Sequence, residues 1–258
     1  MKKSSLAIAS VLILSSTAVL AKKGNDCPVT NAQLNAALSD AQKEDNGQFR
    51  LDMWATVVNN KGIVCAVTKT GENISDQWLA SRVISAQKAY SSASLSNNKG
   101  SSGSATDISV GFTSAGLYGA TQPGGPLFGL QHSNPVDTKW AYLGNSKKFG
   151  TAQDPMMGRY VGGINVFGGG LPLFDADGQV VGGLGVSGNT SCADHNIAWR
   201  VRGSFVTQGL AQGADFEFGI GYEDGYPLCG KPADVDSNGN GVDDRWEAEV
   251  SAIPQMMD

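Results

Sequence analysis

The chain has 258 residues, 41% of them apolar and 17% charged, with a formal net charge of -5. That length holds one domain of ordinary core size with appendages. The acidic balance argues against a nucleic-acid partner and against binding to an anionic membrane surface.

Met1 to Ala21 carries Lys2 and Lys3, then an apolar stretch from Leu6 to Leu20, then small Ala21, the layout of a secretory signal peptide. Ser10, Ser15, Ser16 and Thr17 interrupt the run, which is too short to span a bilayer, and no later segment predicts a membrane span. We therefore expect a periplasmic or secreted protein, whose formal charge falls to -7 once Lys2 and Lys3 are removed. A polar leader, 22–29, precedes the domain, expected at 30–226.

Thr30-Asn31 can cap a helix whose apolar stripe is Leu34, Ala37, Leu38 and Ala41, and Asn46-Gly47 stops it. Two β-rich runs, 53–58 and 62–67, flank Asn59-Asn60-Lys61-Gly62 and predict a hairpin. From Gln77 to Ala93, Leu79, Val83, Ala86, Tyr90 and Ala93 step by four and three, which predicts a helix with Arg82, Gln87 and Lys88 on its polar side. A Gly/Ser loop follows at 97–106. The block at about 112–160 is rich in Gly, Pro, Asn and aromatics without periodicity, and a long irregular segment of this kind is expected to line a ligand or reach a neighbouring subunit. His132 lies within it.

Leu171 to Phe174 and Gln179 to Val186 flank Asp175-Ala-Asp177-Gly178 and predict a second hairpin. Gly182, Gly183 and Gly185 lie inside its second strand, where they weaken the strand unless a helix or a flat ligand packs against that backbone. Thr190 to Asp194 signals a helix start, and Ala193, Ile197, Val201 and Phe205 form the buried stripe that follows. His195, Trp199 and Arg202 share a second face of that helix, a set that can meet a flat anionic ligand. Phe216 to Ile220 is expected to add an edge strand.

Cys27, Cys65, Cys192 and Cys229 form an even set with no C-x-x-C, so disulfides are expected rather than a metal cluster. Of the three pairings possible, we expect 27–229, stapling the two ends, and 65–192, joining a strand to a helix start. In the tail, 227–258, the stretch 236–247 fits D-x-[DN]-x-[DN]-G-x5-E. Asp236, Asn238, Asn240, the Val242 carbonyl, Asp244 and Glu247 can converge on one calcium ion, with Gly241 permitting the sharp turn. With two Asn among the ligands, the expected affinity is weak, on the order of 0.1 to 1 mM, and the role structural.

The stretches MWATVVNNKGIVCAVTKTGE, SRVISAQKAYSSASLS and GGGLPLFDADGQVVGGLGVSGNTSCADHNIAWRVR resemble the GlcG/HbpS family of haem-binding and haem-degrading-type domains, also similar to the C-terminal domain of PduO proteins. The resemblance implies an α+β profilin-like sandwich, a five-stranded antiparallel sheet packed with helices, assembled into homo-oligomers and binding haem or a similar tetrapyrrole. Some members take an iron ligand from the first helix. The first helix here, TNAQLNAALSDAQKE, has no histidine, which turns the search for an imidazole to His132 and His195. Around His195, Trp199 can pack on a ring and Arg200 or Arg202 can pair with propionates; Met156 and Met157 are weaker axial candidates. No nucleophile elbow, paired His/Asp/Ser arrangement or metal triad is legible, so a haem-binding or haem-sensing protein is the leading expectation. The rivals are an enzyme acting on haem or a small metabolite and a calcium-stabilised oligomeric interaction module.

Overall fold

The computed structural model describes residues 27–44, 46, 49–97, 111–210 and 215–216. The expected signal peptide, most of the leader, the Gly/Ser loop beyond residue 97, residues 217–220 and the whole tail with Cys229 and the calcium motif lie outside them. In chain order the elements are α1 (Asn31–Lys43), β1 (Trp54–Asn59), β2 (Val64–Lys69), α2 (Ser81–Leu95), β3 (Gly111–Phe112), α3 (Tyr118–Thr121), α4 (Leu130–Ser133), α5 (Thr138–Ala141), β4 (Gly170–Phe174), β5 (Val180–Ser187), α6 (Ser191–Val206) and β6 (Asp215–Phe216).

Four strands make one antiparallel sheet in the order β2-β1-β5-β4. Among the described residues it has four strands rather than the five expected. The irregular block supplies short helices and turns instead of a long strand, and the β3 and β6 dipeptides pair in parallel as a separate ribbon. Both predicted hairpins form. Asn59 Oδ1 accepts the Lys61 and Ile63 amides in the first turn, and Asp175 Oδ1 accepts those of Asp177 and Gln179 in the second. Gly62 and Gly178 supply the positive φ at these turns, +80° and +74°.

Helices cover both faces of the sheet. On one face α1 and α6 pack Leu34, Leu38, Ile197, Val201 and Phe205 against Ala55, Val57, Leu171, Leu173, Leu184 and Val186. Burying a side chain such as Leu34 or Leu38 stabilises by about 1.5–3 kcal/mol. α1 begins as the sequence predicts, with a reciprocal Thr30–Gln33 capping box. On the other face α2 and the irregular block cover Trp54, Val58, Val64 and Val67. Two covered faces explain why all six residues of β1 are buried and its sequence does not alternate.

Of the β5 glycines, Gly183 and Gly185 face α2, while a Cβ on Gly182 would meet the Val58 carbonyl of β1. A Cβ on Gly185 would run into the Ser85 carbonyl and lie 2.5 Å from the Ala89 nitrogen; one on Gly183 would meet the Ala89 carbonyl and lie 2.9 Å from the Ala93 nitrogen. A helix, not a ligand, uses the space these glycines leave. The helix can come that close because Ser85, Ala86, Ala89, Ser92 and Ala93 are small, and Thr56 and Ser85 join hydroxyls at 2.8 Å across the contact.

α2 itself departs from the sequence reading. Leu79, expected in its core stripe, lies ahead of the helix and is 71% exposed, whereas Arg82 and Lys88, expected on the polar side, are buried. Both have buried carboxylate partners in distant segments.

The outer edge of β4 is occupied. Ser114 donates its amide to the Gly170 carbonyl, its hydroxyl accepts the Gly170 amide, Pro172 has no amide hydrogen, and Arg202 Nη1 donates to the Pro172 carbonyl at 3.2 Å. On the opposite edge, the Val64 amide and carbonyl of β2 bond Arg159 and Gly158, and Ile63 bridges Tyr160.

The disulfides also differ from expectation. Cys27 joins Cys65, so neither 27–229 nor 65–192 forms. The start of α1 lies over β2, with Asn31 Nδ2 donating to the Val67 carbonyl and Asn35 Nδ2 to Thr68 Oγ1, and the coil before it brings Cys27 to Cys65. Cys192 is also disulfide-bonded.

Gly185→Ala is expected to lower unfolding stability by about 1–3 kcal/mol in urea titration, because the helix must lift from the strand. Gly203→Ala on α6, where an added Cβ meets nothing within 4 Å, is expected to leave stability unchanged or raise it by up to about 1 kcal/mol.

Candidate functional site

α2, β5 and α6 converge on a buried ion pair. Lys88 Nζ lies 2.6 Å from Asp194 Oδ2, donates to the Val186 carbonyl at 3.0 Å, and sits 4.9 Å from the centre of the Phe167 ring. Asp194 Oδ1 accepts the Asn189 amide at 2.9 Å. Burial pushes the Asp194 carboxyl up to about 6, against the lowering pull of Lys88 and of the Asn189 and Gly188 amides. Burial likewise pulls the Lys88 ammonium down, against the pull of Asp194. Thr190 occupies the predicted cap position of α6 but makes no side-chain cap bond, and the acidic residue of the first turn faces inward to Lys88.

The adjoining residues on α6 form the predicted constellation. His195 Nε2 lies 3.0 Å from the Trp199 indole nitrogen, His195 Nδ1 lies 3.2 Å from the Gly169 amide, and the Arg202 guanidinium is 4.2 Å from the centre of the Trp199 ring. Sequence periodicity therefore brings the three side chains together. It does not reveal that the face is closed. His195 is 3% exposed and Arg202 is buried, while Trp199 is half-buried against the core under α1 and α6. Two N–H groups point at the imidazole, and a neutral ring has one acceptor nitrogen, so its tautomer decides which of Gly169 and Trp199 it bonds. An iron at Nε2 would displace the indole.

The irregular block is fastened to α2 by a second buried pair. Arg82 donates Nε and Nη2 to the two oxygens of Asp154, the first at 3.0 Å, and Nη1 to the Ala141 carbonyl at 2.9 Å, and it stacks 3.7 Å from the centre of the Phe149 ring. Asp154 also accepts the Gly150 and Met156 amides. In the same block α4 leaves His132 exposed, with the Asn134 carbonyl after it accepting the Ile164 amide, whereas Met156 is buried and Met157 half-buried in the core under α2. Leu127 and Phe128, a few residues before His132, are exposed large apolar side chains, Phe128 at 62%. Local spacing does not reveal Arg82, Lys88, Asp154 and Asp194 as buried pairs; the one signal is that Arg82 and Lys88 lie on a helix rich in Ser and Ala.

Two open clefts lie elsewhere. One, of about 470 Å³, is lined by Cys27, Pro28, Lys61, Asp175, Val181 and Leu210; the other, of about 460 Å³, lies between Lys69, Glu72 and Ile74 and the Lys147–Thr151 turn. Neither includes His132, His195, Trp199 or Arg202 in its lining. Among the described residues no three His, Cys, Asp or Glu side chains gather to hold a metal, and no helix is long and apolar enough to cross a membrane.

These features define a mixed α/β domain, an antiparallel sheet between helices, whose strongest polar contacts are turned inward. The chain belongs to the HbpS-like family: the model of the haem degrading protein HbpS-like family matches residues 29–201. Among solved structures, the Klebsiella pneumoniae protein ORFY aligns with a TM-score of 0.43 at 23% identity, covering 69% of this chain and 90% of that one. A PduOC:heme complex aligns with a TM-score of 0.45 at 19% identity, covering 72% of this chain and 99% of that one. No curated protein matches.

Lys88→Met is expected to cost about 3–5 kcal/mol in urea unfolding, because it leaves Asp194 buried without its counter-ion. Lys88→Met combined with Asp194→Leu is expected to recover part of that loss, and a double-mutant cycle measures the coupling.

Proposed function

We propose that this chain is an exported haem-binding or haem-sensing protein of the HbpS-like family, and that His132 supplies the imidazole to the tetrapyrrole. The observation that carries the reading is the family match over residues 29–201, which runs from the start of α1 into α6. Of the two histidines in the sequence, His195 is held between Gly169 and Trp199, whereas His132 is exposed. Phe128 and Leu127 beside it offer apolar surface for a macrocycle face. Bound haem would supply an iron centre whose axial ligand and surroundings set its affinity and potential. This chain's part is to hold the imidazole outward on α4, which is anchored by Leu130 and by the bond from the Ile164 amide to the Asn134 carbonyl. His195, Trp199 and Arg202 then act as the rigid flank of α6, and a haem seated on them instead needs that face to open. The helices on both faces of the sheet support reading the domain as a profilin-like sandwich, and exposed Leu127, Phe128, Tyr142 and Tyr160 suit assembly into homo-oligomers.

The tail adds a calcium reading that rests on sequence alone. The complete match of Asp236, Asn238, Asn240, Val242, Asp244 and Glu247 to the loop spacing supports one weak, structural calcium site outside the family-matched residues.

Hemin titrated into the apoprotein is expected to give a Soret band that His132→Ala weakens at least tenfold in affinity, while His195→Ala lowers thermal stability and keeps the band. A band lost only in His195→Ala moves the site to α6, and no band with the wild type ends the haem reading. Isothermal titration with calcium is expected to show heat that Asp236→Ala and Glu247→Ala abolish; a silent wild type removes the calcium site.

A further inference from the structure

We propose that the cleft of about 460 Å³ between the end of β2 and the Lys147–Thr151 turn binds a small zwitterion with an apolar body, an amino acid or dipeptide of the phenylalanine or leucine kind. Its volume is that of a small-molecule site. The haem reading does not enter, because His132 lies outside the lining.

Both walls are set by bonds within their own turns. On the β2 side, Lys69 Nζ donates to the Gly71 and Glu72 carbonyls at 2.6 and 2.9 Å, and Asp76 Oδ2 accepts the Asn73 amide at 2.7 Å. On the other side, Asn145 Oδ1 accepts the Lys147 amide, Thr151 Oγ1 donates to the Lys148 carbonyl, and the Gly150 amide donates to the buried Asp154 carboxylate. The walls touch at Gly150, where a Cβ would lie 2.9 Å from the Trp54 ring and 3.0 Å from Lys69 Cγ. The apolar part of the lining is Ile74 and Phe149, both half-buried against the core under α2, and the Phe149 ring is held by the buried Arg82 guanidinium 3.7 Å from its centre.

What these bonds leave over defines the ligand. Lys69 and Asp76 are engaged by backbone groups, whereas Glu72 on one wall and Lys147 on the other are exposed and have no ion-pair partner among the described residues. These two opposite charges line one cleft yet stand further apart than an ion pair. A molecule that offers an ammonium to Glu72 and a carboxylate to Lys147 pairs with both at once, and its apolar body removes the accessible parts of Ile74 and Phe149 from water. A simple anion would meet Lys147 and be repelled by Glu72. A simple cation would meet the reverse.

Heteronuclear NMR of the full chain, titrated with L-phenylalanine and with the dipeptide leucyl-phenylalanine, tests the assignment. Saturable shifts are expected at the amides of residues 69–74 and 146–151. N-acetyl-phenylalanine, which lacks the ammonium, and phenylalanine amide, which lacks the carboxylate, are each expected to bind the wild type about tenfold more weakly than phenylalanine, and Glu72→Lys and Lys147→Glu are expected to weaken phenylalanine by a similar factor. Both substituted positions are exposed, so the variants are expected to keep the wild-type thermal midpoint. The blocked ligands read the same charges on the unaltered protein. No saturable binding of either probe, shifts centred outside the two turns, or equal affinity for the free and blocked forms overturns the proposal.

Discussion

The direct seating of α2 on the backbone of β5 is the constraint from which the rest of the structure follows. Gly183 and Gly185 present no side chain to it, and Ser85, Ala89 and Ala93 answer with backbone atoms. The two long cations of this helix are nevertheless buried. Lys88 runs past β5 to Asp194 on the opposite layer, and Arg82 runs outward into the irregular block to reach Asp154. Each ion is accommodated only because its partner and several backbone groups are in place, so each pair fixes one neighbouring element relative to α2. The ammonium at the Val186 carbonyl places the α6 start, and the guanidinium at the Ala141 carbonyl places the block.

Much of this was legible residue by residue. The α1 stripe of Leu34, Ala37, Leu38 and Ala41, both hairpins with their Asn59 and Asp175 turns, the α6 stripe, and the expectation that something must lie on the β5 glycines all follow from local spacing and local chemistry. What was not legible depends on distant partners. Arg82 and Lys88 read as solvated because their carboxylates lie 72 and 106 positions away. The same blindness governed the cysteines: spacing favoured a staple between the ends, whereas the path of the coil over β2 delivers Cys27 to Cys65. The helix face of His195, Trp199 and Arg202 was found by periodicity, but periodicity reports which residues share a face and says nothing of what lies against it. The fifth strand, an expectation carried by resemblance, has no counterpart in the sheet of the described residues.

The two histidines illustrate how the same side chain takes opposite parts. His195 sits where two N–H donors meet and couples the turn before β4 to the middle of α6. His132 sits on a single helical turn with exposed neighbours, anchored through Leu130, which packs on Leu117, Ile164 and Val166, and through Asn134, whose carbonyl accepts the Ile164 amide.

The closed edges of the sheet have a consequence for how copies of this chain can meet. Extension of a sheet by a further strand needs a row of unused amides and carbonyls, the usual route to runaway fibre growth. Here Ser114, Pro172 and Arg202 occupy one border at Gly170–Pro172, and Gly158–Tyr160 occupies the start of the other. Lateral strand addition has no template at those positions. Exposed apolar side chains such as Phe128, Tyr142 and Tyr160 lie elsewhere on the described surface.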